Sequence, residues 1–167
     1  NLPKVLEIAL NDGVDPVTGD LVGIATGNAA AYTSFEQVWD AFVTQLRHFL
    51  DVKMRGNRII EGLYATRMPA PFLSLLIDDC IARGMDYNAG GARYNTTYLM
   101  PVGIGTVTDS LSAIRRHVFE KRSLSMDGLI RAIAGDFAGR EVLRQRLWNR
   151  TPRYGNDNEE ADALFAS

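Results

Sequence analysis

The chain has 167 residues, enough for one domain with a single hydrophobic core. Hydrophobic residues make up 46% of the sequence and charged residues 23%, a balance typical of folded soluble proteins. The net charge of −2 and the pI of about 5.7 do not indicate a nucleic-acid-binding or membrane-binding surface, and the apolar runs are too short to span a bilayer.

The cysteine and histidine content limits the chemistry of the chain. The single cysteine, Cys80, excludes an internal disulfide and indicates a reducing compartment, so we expect a cytoplasmic protein. The two histidines, His48 and His117, and one cysteine offer no zinc-ligand spacing, and we predict no metal site and no cofactor-binding residue. A carboxylate-bound metal stays open, without a motif that indicates one. The chain starts inside a helical pattern, without Met or a signal peptide, so we expect a piece of something longer.

The first third of the sequence predicts two helices. Residues 2–11 carry apolar side chains at helical spacing, and Asn11-Asp12-Gly13 predicts the end of that helix. A loop rich in Gly, Asp and Thr follows. Ser34 and Gln37 match a capping box, which predicts the start of the longest helix, with an apolar stripe that runs to about Met54.

The middle and the end of the sequence predict further helices. Residues 72–83 read as a mostly buried helix closed by Gly84, with Cys80 as a small core residue. Later helices are predicted from four starting signals: Asp109-Ser110, Ser125, the break at Gly139, and Asn156 or Asp157.

Two short segments predict strands. The residue types of 92–98 and 102–107 suit extended backbone, and both segments follow or contain glycines. The alternation of helices with short glycine-bounded strands predicts an α/β fold with few strands.

The polar run after Gly90 and Gly91 is the first candidate site, because paired glycines let a backbone or a ligand come close. On a strand, Arg93, Asn95 and Thr97 would face one way, and Tyr94, Thr96 and Tyr98 the other. One of these faces is suited to line a polar pocket. Arg93 is suited to hold a carboxylate or a sulfonate, or equally to pair with a structural Asp or Glu.

The second candidate is the turn from Gly103 to Asp109. Gly103-x-Gly105-x-x-Thr108 partly matches a dinucleotide-binding motif, but the third glycine is missing. Asp109 at a helix start would repel a phosphate. We therefore favour a packing role for the glycines, with Asp109 as an N-cap, over nucleotide binding.

Four segments taken together resemble the glycyl radical enzymes, the family of pyruvate formate-lyase and the glycyl-radical dehydratases. They are NLPKVLEIALNDGVDPVTGD, SLLIDDCIARGMDYNAGGARYN, VGIGTVTDSLSAI and PRYGNDNEEAD, and they follow the family order along nearly the whole chain. The combination of GGARYN-T-Y with VGIGTVTDSLSAI is most similar to the subgroup of trans-4-hydroxyproline dehydratase and isethionate sulfite-lyase.

This resemblance implies a fold and a chemistry for the parent enzyme. The fold is a ten-stranded α/β barrel of two antiparallel half-barrels wrapped by helices. A radical stored on a glycine passes to a cysteine, and the thiyl abstracts hydrogen from a small polar substrate, after which elimination or bond cleavage follows. An activating enzyme with an iron–sulfur cluster and S-adenosylmethionine installs the radical. The resemblance also implies a homodimer and anaerobic metabolism.

The sequence departs from the family at the two radical sites. Neither the cysteine motif, similar to Gly-Cys-Val-Glu, nor the glycine motif, similar to Arg-Val-x-Gly-Tyr, is present. In family order they would precede Asn1 and follow Ser167, while Cys80 and Gly155 match other positions. We therefore expect residues 1–167 to form a single segment of the barrel domain, with no catalytic residue and no activity alone.

Within that segment, the resemblance leaves four substrate-pocket candidates: Arg93, Asn95, Thr96 and Tyr98. Two other functional classes stay open. One is a non-catalytic interaction or remnant domain. The other is a small anion-binding α/β module that uses the turn from Gly103 to Asp109.

Overall fold

The computed structural model describes all residues from Asn1 to Ser167, and its regular structure is helical. Two 3₁₀ turns, Ala29–Ala31 and Tyr87–Ala89, lie between helices, and a π-helical turn, Arg115–Glu120, continues α5. The α-helices are α1 (Leu2–Leu10), α2 (Phe35–Arg67), α3 (Pro71–Leu76), α4 (Cys80–Arg83), α5 (Ile104–Ile114), α6 (Met126–Ala134), α7 (Glu141–Arg150) and α8 (Glu159–Ala166).

The helix-rich character is confirmed, but the two predicted strands are wrong. Residues 92–98 form bends and irregular backbone, and most of 102–107 belongs to α5. The β-branched residues of α5 adopt helix because Val107, Leu111 and Ile114 bury one helical face, and such packing outweighs a weak local propensity. The β pairing is limited to one isolated antiparallel bridge between Val14 and Leu21.

The chain divides into two compact units, and the hydrophobic core lies in the first, which comprises Asn1–Phe49 and Pro101–Ser167. Buried apolar residues come from α1, the first part of α2, α5, α6 and α8. Representative core residues are Leu6, Val38, Phe42, Leu111, Leu129 and Leu164.

Several predicted helix ends in this unit are confirmed. Gly13 takes a left-handed φ of 84°, and its amide donates to the Ile8 carbonyl oxygen at 2.9 Å. The Ser125 hydroxyl accepts the Gly128 amide at 3.0 Å and caps α6. At the start of α2, Gln37 Oε1 accepts the Ser34 amide at 3.3 Å, which is the glutamine half of the predicted capping box.

The helix α2 continues past the predicted apolar stripe to Arg67 and ends shortly before Pro69. Two other predicted boundaries moved. The helix α5 starts at Ile104, ahead of the predicted start at Asp109-Ser110. The cap of α8 is Asn158, one residue after the predicted pair, and its side chain accepts the Ala161 amide.

The second unit comprises Leu50–Met100. The single buried helix predicted for residues 72–83 is wrong, because α3 and α4 are separated by a break that ends at Asp79 with a left-handed φ of 75°. The apolar side chains of α3 are exposed, with Phe72 at 84% and Leu76 at 82%. Cys80 is buried, as expected for a small core residue.

The helix α2, with 33 residues, has the length to cross a bilayer. Its polar content is too high for that role, and no helix of the chain combines the length and the apolar character of a membrane span.

Candidate substrate-pocket segment

The polar run of residues 93–98 follows a turn that Asp86 organises. One carboxylate oxygen of Asp86 accepts the Ala70 amide and the Ser74 hydroxyl, both at 2.8 Å. The other accepts the Asn88 amide at 2.9 Å, which caps the 3₁₀ turn Tyr87–Ala89. Asp86 therefore ties the start of α3 to the turn that leads into the polar run.

These contacts define the charge state of Asp86. Partial burial alone would raise the pKa of this carboxyl group. The hydrogen bonds from Ser74 and from the amides of Asn88 and Ala70 outweigh that effect and lower the pKa below its ordinary value. Asp86 is thus an ionised acceptor at neutral pH, which suits a structural hub.

The two glycines of the turn are both needed, for different reasons. Gly90 takes a left-handed φ of 89°, which side chains rarely adopt. Gly91 lies so close to the Met85 carbonyl oxygen that a Cβ would overlap it. The predicted close approach is therefore real, and the group that approaches Gly91 is the chain's own backbone.

Arg93 forms a two-point ion pair with Asp79. Arg93 Nε lies 3.0 Å from Asp79 Oδ2, and the terminal guanidinium nitrogen NH2 lies 2.9 Å from Asp79 Oδ1. The hydrogen bonds from Arg93, with its positive charge, lower the pKa of Asp79. The same hydrogen bonds and the negative charge of Asp79 raise the pKa of Arg93. Of the two roles predicted for Arg93, the structure contains the pairing with an acidic side chain.

The other three candidates, Asn95, Thr96 and Tyr98, are exposed, and the side chain of Tyr98 is 82% exposed. The predicted alternation of two faces does not apply, since the backbone here is not extended in a strand. Thr97, on the same segment, donates its hydroxyl to Glu61 Oε1 at 2.6 Å and so contacts the second half of α2. Asn95, Thr96 and Tyr98 present free polar groups on an irregular segment.

The second candidate, the turn from Gly103 to Asp109, has a different geometry from the one predicted. Asp109 lies inside α5, so the predicted N-cap role is wrong. Its carboxylate accepts the Tyr154 amide at 2.9 Å and lies 3.3 Å from Arg153 Nε. The strand-turn-helix arrangement of an anion site is therefore missing, and the glycine positions serve packing, since a Cβ on Gly103 would meet Pro3 Cδ at 2.6 Å.

The remaining reactive side chains form no further site. His48 is half-buried and lies edge-on against Phe49, with ring centroids 5.3 Å apart, which matches a histidine at the edge of the core. No group of three or more His, Cys, Asp and Glu side chains is arranged to hold a metal ion.

Sequence reasoning missed the residues that organise the candidate segment. Asp79 and Glu61 each contact it through a side chain, and Asp86 organises the turn before it, yet none of them was a candidate. The adjacent pair Asp78-Asp79 within an apolar stretch was an available signal, because short acidic side chains favour breaks and left-handed conformations over helix interiors.

Comparisons with known proteins match the whole chain to one family. The sequence model of the family described as "Pyruvate formate lyase-like" matches residues 1–167. The chain belongs to this family. The trans-4-hydroxy-L-proline dehydratase of Clostridioides difficile is 46% identical over 165 residues, which are 99% of this chain and 21% of the relative. The isethionate sulfite-lyase of Desulfovibrio desulfuricans is 36% identical over 98% of this chain and 20% of the relative.

Solved structures show the same relationship. The crystal structure of the Clostridioides difficile hydroxyproline dehydratase with trans-4-hydroxy-L-proline bound matches with a TM-score of 0.93 over 98% of this chain and 21% of that chain. A glycyl radical enzyme from Archaeoglobus fulgidus is 36% identical and matches with a TM-score of 0.86 over 99% of this chain. The chain spans about a fifth of the length of the relatives it matches.

Proposed function

We propose that this chain is one segment of a glycyl radical enzyme that catalyses radical elimination or bond cleavage, of the dehydratase or C–S lyase type, on a small polar substrate. The observation that carries the proposal is the match to the hydroxyproline dehydratase, which combines 46% identity with a TM-score of 0.93 over almost the whole chain. The isethionate sulfite-lyase relatives extend the reaction class to cleavage of a C–S bond.

The segment alone is expected to be inactive. Its one cysteine, Cys80, is buried in α4, where it packs as a small core residue instead of meeting a substrate. The radical-carrying glycine and the hydrogen-abstracting cysteine belong to parts of the enzyme outside residues 1–167. The segment contributes helices around the ten-stranded barrel and a part of the pocket wall.

The partners of the whole enzyme follow from this reaction class. An activating enzyme installs the glycyl radical with an iron–sulfur cluster and S-adenosylmethionine, and the enzyme is a cytoplasmic homodimer. The family resemblance assigns the cluster to the activating enzyme. Residues 1–167 do not fit such a cluster themselves, since the single cysteine is buried and no metal-binding group of side chains occurs among them.

The pocket wall is assigned to the segment that follows the Asp86 turn. Asn95, Thr96 and Tyr98 offer an amide and two hydroxyl groups, and the printed sequence places all three within four residues. Such groups bind the hydroxyl, carboxylate or sulfonate oxygens of a small polar substrate through hydrogen bonds. Arg93 supports this wall from its ion pair with Asp79.

The experiment uses the full-length enzyme, activated anaerobically by its activating enzyme. Trans-4-hydroxy-L-proline, isethionate and (2S)-3-sulfopropanediol are offered separately, and product formation is measured. We expect turnover of a substrate of this class. Asn95→Ala and Tyr98→Ala should lower turnover while the thermal unfolding midpoint stays unchanged, because both side chains are exposed within the segment.

The matched control is Asn149→Ala on α7, an exposed asparagine far along the chain from the candidate wall. It should leave turnover intact. If Asn95→Ala and Tyr98→Ala lower the unfolding midpoint and turnover together, their role is structural. A full-length protein that accepts a radical from no activating enzyme would favour the interaction or remnant domain instead.

A further inference from the structure

The start of the candidate wall is held by one carboxylate in an unusual backbone conformation. Asp79 has a φ of 75°, a conformation in which Asp and Asn are enriched among non-glycine residues. It directs its carboxylate at Arg93, 14 residues later, through two hydrogen bonds of 3.0 and 2.9 Å. Two parallel contacts fix the plane and the position of a guanidinium group, which a single contact does not.

Two further contacts join the residues around α4 to Ala92 and Arg93. The guanidinium of Arg83 donates to the Ala92 carbonyl oxygen at 3.0 Å and lies 3.6 Å from the Asp79 carboxylate. The Arg93 amide donates to the Asp78 carbonyl oxygen at 3.3 Å. Asp79 thus stands at the centre of a clamp between the start of α4 and the residues Ala92 and Arg93.

Beyond Arg93 the segment has little else to hold it. Residues 94–100 make no backbone–backbone hydrogen bonds, and their one side-chain hydrogen bond runs from Thr97 to Glu61. The position of Asn95, Thr96 and Tyr98 therefore depends on where the clamp holds Arg93.

The charges around Arg93 also limit its role. Its guanidinium meets Asp79 directly, and a second carboxylate, from Asp78, lies 4.0 Å away. With Arg83 also beside Asp79, two carboxylates balance two guanidinium groups, so little net attraction remains for an anionic substrate. Because the pair is partly exposed, its contribution to overall stability is expected to be small, and its main effect is geometric.

We propose that Asp79 is a positioning residue, which places the pocket wall of Asn95 to Tyr98 through its two-point pair with Arg93. The inference rests on the proposed function, since it takes that wall as the place where substrate binds. It assigns Arg93 to the support of the wall and not to the binding of a substrate carboxylate or sulfonate.

The test uses variants of the full-length enzyme that change charge and keep shape. Asp79→Asn keeps a side chain that tolerates the left-handed conformation and removes the charge. Arg93→Gln and Arg93→Lys remove the two-point pairing, and the lysine variant keeps the positive charge. Each single variant should lower kcat/KM about ten- to a hundred-fold, as small displacements of a substrate-positioning group do.

The double variant Asp79→Asn with Arg93→Gln should have a kcat/KM no lower than that of the single variants, because both substitutions remove the same contact. The unfolding midpoint should not move. The control pair is Glu141 and Arg144 on α7, which form the same two-point geometry at 2.9 and 2.9 Å. Glu141→Gln and Arg144→Gln should leave kcat/KM unchanged.

A second readout does not depend on turnover. Limited digestion with chymotrypsin reports access to the bonds after Tyr94 and Tyr98, and cleavage there should be faster in Asp79→Asn than in the wild type. Unchanged cleavage would overturn the inference whatever the activity. Faster cleavage with full kcat/KM would also overturn it, since the clamp would then hold the segment without any effect on substrate.

Rescue of activity by Arg93→Lys would contradict the two-point geometry and favour a simple charge role. A wild-type enzyme without turnover on any substrate of the class would overturn the proposed function, and the positioning role with it. The cleavage rates would still report how Asp79 holds the segment, so the two failures are distinguishable.

Discussion

The side-chain amide of Gln45 pairs with the backbone of Ile24 in the way that a neighbouring strand would. Its Oε1 accepts the Ile24 amide at 3.0 Å, and its Nε2 donates to the Ile24 carbonyl oxygen. Gln45 is fully buried on α2, and Gly23 lies so close to its side chain that a Cβ there would clash. One glutamine therefore holds the loop between α1 and α2 against the core.

Gln45→Ala should destabilise the chain, because it removes a fully buried side chain and its two hydrogen bonds to the Ile24 backbone. We expect a loss of about 1–3 kcal/mol in the free energy of unfolding, since each such hydrogen bond contributes about 0.5–1.5 kcal/mol. Urea denaturation measures it. The control is Gln145→Ala, which removes an exposed glutamine from α7 and should change stability little.

The buried His117 should make stability depend on pH. Its Nε2 lies 3.1 Å from Thr151 Oγ1, and the threonine hydroxyl donates to the Leu147 carbonyl oxygen at 2.6 Å, so the imidazole is the donor in this contact. Burial lowers the pKa of His117, and the nearby positive charges of Lys121 and Arg116, together with Arg146, lower it further.

In the unfolded chain this histidine takes up a proton near pH 6.5, whereas in the folded chain it does so only at lower pH. Stability should therefore be complete above pH 6.5 and fall as the pH drops from there towards the lowered pKa. Urea midpoints across this range check the prediction. The loss of stability below pH 6.5 that His117 causes should be absent in His117→Gln and still present in His48→Gln.

Alanine substitutions at two glycines, Gly103 and Gly56, should change the stability of the chain in opposite directions. Gly103→Ala introduces a side chain at a φ of 84° and against Pro3, and it should cost about 1–3 kcal/mol in stability. Gly56→Ala lies within α2 with open space around it and should add about 0.5–1 kcal/mol, the helix preference for alanine. Thermal unfolding of both variants gives the sign of each change in stability, and changes in the same direction would contradict the prediction.

The chain by itself should associate through its exposed apolar side chains. Several lie in the unit Leu50–Met100, among them Phe72, Leu76 and Ile59, and large exposed apolar patches favour association. Sedimentation velocity should show species larger than 18.5 kDa. Phe72→Ser with Leu76→Ser should reduce them, whereas Val142→Ser, which removes one exposed apolar side chain from α7, should not. Exposed sheet edges do not contribute, because the chain contains no strand.

Local signals predicted those features that depend on a few neighbouring residues. The end of α1 at Asn11, the Ser125 cap of α6 and the glutamine half of the capping box at Ser34 were all predicted correctly, because each depends on one hydrogen bond over a short span. The ordered set of four motifs predicted the family, which the match over residues 1–167 confirmed.

The candidate site was predicted only in part. Its location after Gly90 and Gly91 stays a prediction for the substrate wall, although the turn that presents it exists. Asp79, which holds the segment, and Asp86, which holds the turn before it, were not predicted. Their partners lie up to 16 residues away, and the contacts depend on how the chain folds back.

The sequence by itself determined the helical character, several helix ends and the family, because these follow from periodicity, caps and motif order along the chain. Only the tertiary structure decided that residues 104–107 join α5 and that Asp79 breaks the helix of residues 72–83. In both places the local preference is weak. The burial of Val107 in the core supplies the larger stabilisation in α5, and the two-point pair of Asp79 with Arg93 fixes the geometry of the break. Both depend on residues distant in sequence.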